Sequence, residues 1–126
     1  MTDAVIDEIS GRVAASLLAG GLRRGQTVAV QLPNVPQFVF AYFGILKAGL
    51  VMLPLSPLLK SREIAYHLRD ADAAALVTLD LVTEEASKAL VQLDEMPVYV
   101  VRTTRAELPD GTRAFEELYQ AADTRE

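Results

Sequence analysis

Apolar residues recur at helical spacing from the start of the chain. Ile6, Ile9, Val13 and Leu17 share one face, and Ala14 and Leu18 widen the stripe, which predicts a helix over 3–19. Thr2 or Asp3 is placed to cap it, and Gly20-Gly21 stops it. The pattern then changes period. Val28 to Leu32 is a short apolar run rich in β-branched residues and reads as a strand. Pro33-Asn34-Val35-Pro36 turns the chain into a second helix over 35–48, with Asn34 as its N-cap and Gln37 completing a capping box. Apolar residues run nearly all round this helix, which predicts burial on more than one side.

The alternation continues to the end. Leu50–Leu53 reads as a strand closed by Pro54, followed by a helix from Ser61, its cap, to Asp70. Ala75–Thr78 reads as a third strand, Thr83–Asp94 as a helix and Pro97–Val101 as a fourth strand. Residues 103–113 read as loop, marked by Pro109-Asp110-Gly111, and Phe115–Ala122 as a short last helix. Strands that are continuous apolar runs, alternating with helices, define an α/β class: a parallel sheet of about four strands with helices on both faces. Right-handed crossovers leave few topologies, and the flavodoxin-like order 2-1-3-4 is favoured over 1-2-3-4. The 126 residues read as a single partial domain without an internal boundary.

Composition narrows the function classes. A 51% apolar, 23% charged chain is globular in character. The absence of cysteine excludes disulfides, thiolate metal sites and a cysteine nucleophile. A net charge of −5 disfavours nucleic acid, and the basic residues are scattered, with Arg23-Arg24 and Lys60/Arg62 the tightest groups. The acidic opening and the short apolar runs carry neither a signal peptide nor a membrane span, so the expected compartment is cytoplasmic.

Little in the residues carries chemistry. The turn after the first strand has no glycine and two prolines, so it cannot cradle a pyrophosphate on backbone N–H groups. Gly20-Gly21 and Gly25 precede a strand, the wrong context for a phosphate loop. His67, the only histidine, has no serine or carboxylate at catalytic spacing and reads as a surface or boundary residue. Asp70 and Asp72 read as turn residues, and Glu84-Glu85 and Glu116-Glu117 as helix openers suited to the dipole. Phe38, Phe40, Tyr42 and Phe43 could line an acyl pocket, with core packing the better reading. The expected catalytic, cofactor-binding and metal-binding residues are therefore none.

An ordered set of motifs adds what the spacing does not. Gly21-Leu22-Arg23-Arg24-Gly25-Gln26 leads through the first strand to Leu32-Pro33-Asn34-Val35-Pro36-Gln37-Phe38. Leu46-Lys47-Ala48-Gly49 and Pro54-Leu55-Ser56-Pro57 follow, then Arg62 to Asp70 and Ala75-Leu76-Val77-Thr78. Nearly the whole chain resembles the opening of the adenylate-forming superfamily, which reads Gly-x-x-x-Gly-Asp, Leu-Pro-Asn-x-Pro-Glu-Phe, Leu-Lys-Ala-Gly and Pro-Leu-Asn-Pro. Pro57 to Tyr66 looks most like medium- or long-chain fatty acyl-CoA ligases. Gln26, Gln37, Ser56 and Asp72 depart from the usual Asp, Glu, Asn and Gly, which puts local turns in doubt.

The resemblance implies a parent enzyme that joins ATP and a carboxylate to acyl-adenylate and then makes a CoA thioester. It implies ATP, Mg and CoA for that parent, with none held by this segment. The family's Thr/Ser/Gly-rich phosphate loop, its ribose-binding Asp and Arg and its late Lys have no counterpart in the 126 residues, so no catalytic residue carries over. The segment alone is expected to be inactive. Its expected partners are the remainder of the parent chain, fatty acid and CoA, or a second copy through exposed apolar surface. Peripheral membrane association of the parent stays open. A free-standing, non-catalytic α/β module is the alternative. A receiver domain is weaker, because Pro33-Asn34 stands where its acidic pair belongs.

Overall fold

A computed structural model describes residues 2–104 and 107–120. The elements are α1 (Asp3–Ala19), β1 (Thr27–Val30), α2 (Pro36–Lys47), β2 (Val51–Pro54), α3 (Ser61–Asp70), β3 (Ala73–Leu79), α4 (Thr83–Leu90), β4 (Val98–Val101), β5 (Arg113–Ala114) and α5 (Glu117–Gln120). The sheet is parallel throughout, in the order β2-β1-β3-β4-β5. The expected 2-1-3-4 order is therefore present, with a fifth strand beside β4. Residues 103–113 were expected to be loop. Instead Arg113 and Ala114 pair with Tyr99 and Val100, and the Phe115 N–H donates to the Val100 carbonyl at 2.8 Å.

Alternation within each strand divides the core in two. On one face Val28, Val30, Ala75, Val77, Leu79, Tyr99 and Val101 pack against residues of α1 and α2 and against Phe115 and Leu118. On the other, Ala29, Leu76, Val98 and Val100 meet Ile64, Ala65 and Leu68 of α3 and Ala86 and Ala89 of α4. Period-two side chains thus feed both faces, which is why the strands are apolar at every position. Each fully buried Leu, Ile or Phe contributes roughly 1.5–3 kcal/mol. Phe115, Leu17, Ile45, Ile64, Leu68 and Leu76 are the largest of them.

The helix starts are only partly as expected. The Thr2 hydroxyl accepts from the Val5 N–H at 3.2 Å and caps α1. Asn34 does not cap α2. Extended Val35 holds that position without a side-chain hydrogen bond, Pro36 supplies the pre-set φ of the first turn, and Gln37 makes no box. Ser61 is the first residue of α3 rather than its cap. Lys60 precedes it, and the Lys60 N–H donates to Glu63 Oε1 at 3.0 Å. Helix α4 ends at Leu90, four residues short of Asp94, and α5 is the part of 115–122 seen at Glu117–Gln120; residues 121 and 122 lie outside those described.

The unusual residues close their turns by other means. The Gln26 side chain accepts from the Arg23 N–H at 2.7 Å, as an aspartate would. Ser56 Oγ accepts from the Leu58 N–H at 3.1 Å, a local turn a short polar side chain can make. Asp72 sits at φ 52°, the left-handed region that glycine enters without a Cβ penalty and that Asp tolerates.

Helices α1 and α2 approach closely. At Gly44 a Cβ atom would lie 2.6 Å from Val13 Cγ1 and 2.8 Å from Val13 Cβ. Opposite it, buried Ser10 turns its hydroxyl back to the Ile6 carbonyl at 2.6 Å. Not all of α2 is covered, contrary to its all-round apolar pattern. Phe40, Ala41, Gly44 and Ile45 are buried, while Tyr42, Phe43 and Leu46 are 38%, 41% and 50% exposed. Beside them, β2 forms one edge of the sheet. The Val51 and Leu55 N–H groups donate inward to Gln26 and Val30, so the Met52 N–H faces the open side and Pro54 has none to give.

Candidate functional site

In open α/β sheets ligands bind beyond the carboxyl ends of the strands, where the order reverses. Here that point lies between β1 and β3, whose following connections lead to opposite sides of the sheet. The segments that converge there are 31–35, 55–60, 80–82 and 102–104. None contains glycine, and Pro33, Pro36 and Pro57 withhold their backbone donors.

What stands at this edge is bonded to itself. Gln31 ends the apolar run of β1 and is fully buried, as is Thr78 near the end of β3. The Thr78 hydroxyl donates to Gln31 Oε1 at 2.9 Å, and Gln31 Nε2 donates to the Ser56 carbonyl at 3.1 Å. One amide therefore ties β1, β3 and the segment after β2 together on the α3/α4 side. Its oxygen and nitrogen are both engaged, as buried polar atoms must be. The sequence pattern alone did not single out this residue; a polar side chain closing an apolar run, repeated at Thr78, was the available signal.

Asp80 makes a second closure. It opens the single 3₁₀ turn Asp80–Val82 after β3. Its carboxylate accepts from the backbone N–H groups of Thr103 and Thr104, at 2.7 and 2.9 Å, and from both hydroxyls, at 2.8 and 3.1 Å. Partial burial pushes its pKa up, but these four hydrogen bonds outweigh it and hold the carboxyl below the usual aspartate range. The folded state thus binds fewer protons at Asp80 than the unfolded chain. This contribution to stability is present above about pH 4 and is lost as pH falls further. We expect Asp80→Asn to lower the urea midpoint at pH 7 and to lower it by less at pH 3. An equal gap at both pH values would refute the assignment.

The remaining candidates do not converge. His67 makes an edge-on ring contact with Tyr66 at 5.4 Å and lies on α3, away from the carboxyl edge. Asp70 ends that helix and Asp72 follows in its turn. Among the described residues no group of three or more His, Asp or Glu side chains is placed to hold a metal ion. Glu85 accepts from the Ser61 N–H at 2.7 Å, which holds its carboxyl below the usual range. Glu116 pairs with Arg102 at 3.0 Å. Arg23, Arg24, Lys60 and Arg62 are solvent-exposed.

The aromatic cluster is not a pocket. Phe40 is buried edge-on to Tyr119, while Phe38 stacks on half-exposed Tyr42. Phe43 borders a cavity of about 220 Å³ between α1 and α2 with Ile6, Asp7 and Lys47, and the Lys47 ammonium is paired to Asp7 at 2.6 Å. Tyr99 is almost wholly buried, and this burial raises its phenol pKa against the pull of Arg113.

Fold and edge together define a doubly wound α/β unit whose carboxyl-edge loops hold one another. The chain belongs to the AMP-binding enzyme family, which matches residues 2–125. It is 44% identical over 77 residues to a long-chain-fatty-acid–CoA ligase of Bacillus subtilis, covering 61% of this chain and 14% of that protein. A long-chain-fatty-acid–CoA ligase of Salmonella typhimurium is 38% identical over 104 residues, covering 76% of this chain and 18% of its own length. Acetoacetyl-CoA synthetase from Streptomyces lividans superposes with a TM-score of 0.85 at 25% identity, covering 93% of this chain and 20% of that one. The chain thus spans less than a fifth of these curated relatives. Among the described residues no helix is long and apolar enough to cross a membrane.

Proposed function

We propose that this chain is the N-terminal segment of a cytoplasmic fatty acyl-CoA ligase. The parent activates a fatty acid with ATP to acyl-AMP and passes the acyl group to CoA. The observation that carries this reading is the family match along residues 2–125, together with 38% identity to a long-chain ligase over 76% of the chain. On its own the segment is inactive. Its carboxyl edge presents Gln31, Ser56, Thr78 and Asp80 to one another rather than to a ligand, and the prolines there give no backbone donors. Its role in the parent is structural: it supplies one sheet of the large lobe.

ATP–pyrophosphate exchange tests this directly. The purified chain, given ATP, Mg and a C8–C16 series of fatty acids, is expected to show no exchange above the blank. Exchange would overturn the inactive reading. Sequencing the natural reading frame past codon 126 tests the parent. A Ser/Thr/Gly-rich run ending in Lys-Gly supports the ligase; a stop codon favours a free-standing α/β module. The self-bonded carboxyl edge is the one observation that favours this second reading.

A further inference from the structure

A cavity of about 620 Å³ opens at the amino edge of the sheet, the end of the strands opposite Gln31 and Asp80. The last turn of α1, the β4–β5 pair and α5 enclose it. Ala19, Gly20 and Leu118 form its apolar wall, and Tyr99, Arg113 and Glu117 bring polar groups to it. Tyr99 and Arg113 are partners in register on neighbouring strands, so their side chains stand on the same face of the sheet. Tyr99 is 4% exposed, yet its hydroxyl makes no hydrogen bond among the described residues. A Cβ atom at Gly20 would lie 3.5 Å from that phenol oxygen, which places the oxygen at the glycine wall of the cavity. The oxygen is open to the cavity rather than sealed, since no fully buried side-chain polar atom among the described residues lacks a partner. The Ser16 hydroxyl nearby is already given to the Leu118 carbonyl. Arg113 and Glu117 line the same cavity without an ion pair to any described residue.

We propose that this cavity binds a small monocarboxylate with an apolar body, its carboxylate held by the Arg113 guanidinium and the Tyr99 hydroxyl. Phenylalanine would pack at position 99 as well as tyrosine does and would need no partner; the hydroxyl adds a donor that only an occupant of the cavity can meet. Burial keeps the phenol protonated at neutral pH, so it donates. The guanidinium is charged at every working pH and presents a planar fork that matches a carboxylate. Two inner donors thus select an anion. Its charge is limited from the other side. Arg113 brings one positive charge, while Glu117 and the C-terminal end of α1, which has no basic residue in its last turn, add negative potential. A phosphate dianion is therefore disfavoured. The volume lies within the roughly 300–1,000 Å³ of small-molecule sites, and the Ala19, Gly20 and Leu118 wall takes the apolar body. This inference goes beyond the ligase reading and does not rest on it.

Isothermal titration of the chain with 3-phenylpropionate tests it, with 3-phenylpropanamide as the neutral match and inorganic phosphate as the dianion. The carboxylate is expected to bind, and the amide and phosphate to bind at least about tenfold more weakly. Tyr99→Phe is expected to weaken the carboxylate about tenfold and Arg113→Gln by more, since both remove bonds to a charged group. Without ligand, Tyr99→Phe is expected to keep its thermal midpoint within about two degrees, because the hydroxyl has no partner in the fold to lose. Four results would overturn the proposal. The carboxylate gives no heat of binding up to about 10 mM. The amide or phosphate binds as tightly as the carboxylate. Both variants bind it as the unsubstituted chain does. Or Tyr99→Phe lowers the unliganded midpoint by more than about 4 °C, which would show a hydroxyl already bonded within the fold.

Discussion

Gly44→Val is expected to remove about 3 kcal/mol of stability, the upper part of the overpacking range. The first atom added at Gly44 would meet Val13 at 2.6 and 2.8 Å, well inside van der Waals contact. Both contacts are made by a buried β-branched side chain with one strongly preferred rotamer in a helix, so Val13 cannot swing aside. Either α1 or α2 must move, and α1 also carries Ile6, Ile9 and Leu17 into the core. Better helix propensity returns less than 1 kcal/mol. A domain of this size has roughly 5–15 kcal/mol in all, so the loss is a large share. Urea midpoints of the two proteins measure it. Gly44→Ala paired with Val13→Ala should stay well below the starting stability, because the 2.8 Å collision is with Val13 Cβ, which alanine keeps. A midpoint unchanged by Gly44→Val would mean that α1 does not pack as described.

Gln31→Leu comes next, with an expected loss of about 2–3 kcal/mol. Leucine fills a similar volume but leaves the buried Thr78 hydroxyl without its acceptor and the Ser56 carbonyl without its donor. An orphaned buried polar group costs about 1–3 kcal/mol. Ser56 is solvent-exposed, so water can recover that carbonyl; Thr78 is sealed. Removing both members of the pair should therefore be milder than removing one. Gln31→Leu with Thr78→Val is expected to regain at least 1 kcal/mol over the sum of the single changes, a coupling that a double-mutant cycle in urea reads out. Strict additivity would show that the two side chains do not share the bond.

The division between legible and hidden features follows from range. Helices 3–19 and 61–70 and the core strands announce themselves through local periodicity, and the observed bounds match within a residue or two. Crossover handedness left few topologies, and the favoured one among them, 2-1-3-4, is the order observed. β5 had no such signal. Arg113-Ala114 is two residues long, and only its position beside Tyr99 and Val100 makes it a strand. Val35 displaced Asn34 as cap because Pro36, not Asn34, sets where α2 begins. The all-round apolar pattern of α2 predicted burial on more than one side, yet Tyr42, Phe43 and Leu46 are well exposed, because composition does not say which neighbours a helix has. The contacts at the carboxyl edge were not legible: Gln31 and Asp80 matter through partners 25 and 47 residues away or 23 and 24, distances no local window spans.

The Ser16 hydroxyl donates to the Leu118 carbonyl, a bond across 102 residues that joins the first long helix to the last short one. This partner of the last turn of α1 thus lies beyond every strand of the sheet along the chain. The α3/α4 side of the sheet can assemble without it, since its residues lie between 29 and 100. Because closing so long a loop carries a large entropic cost, we expect contact between α1 and α5 to form after the barrier to folding has been crossed. Weakening it at Ser16 should hasten unfolding while leaving the refolding rate nearly untouched, so the grip of the two ends on each other sets how long the folded chain lasts rather than how fast it forms.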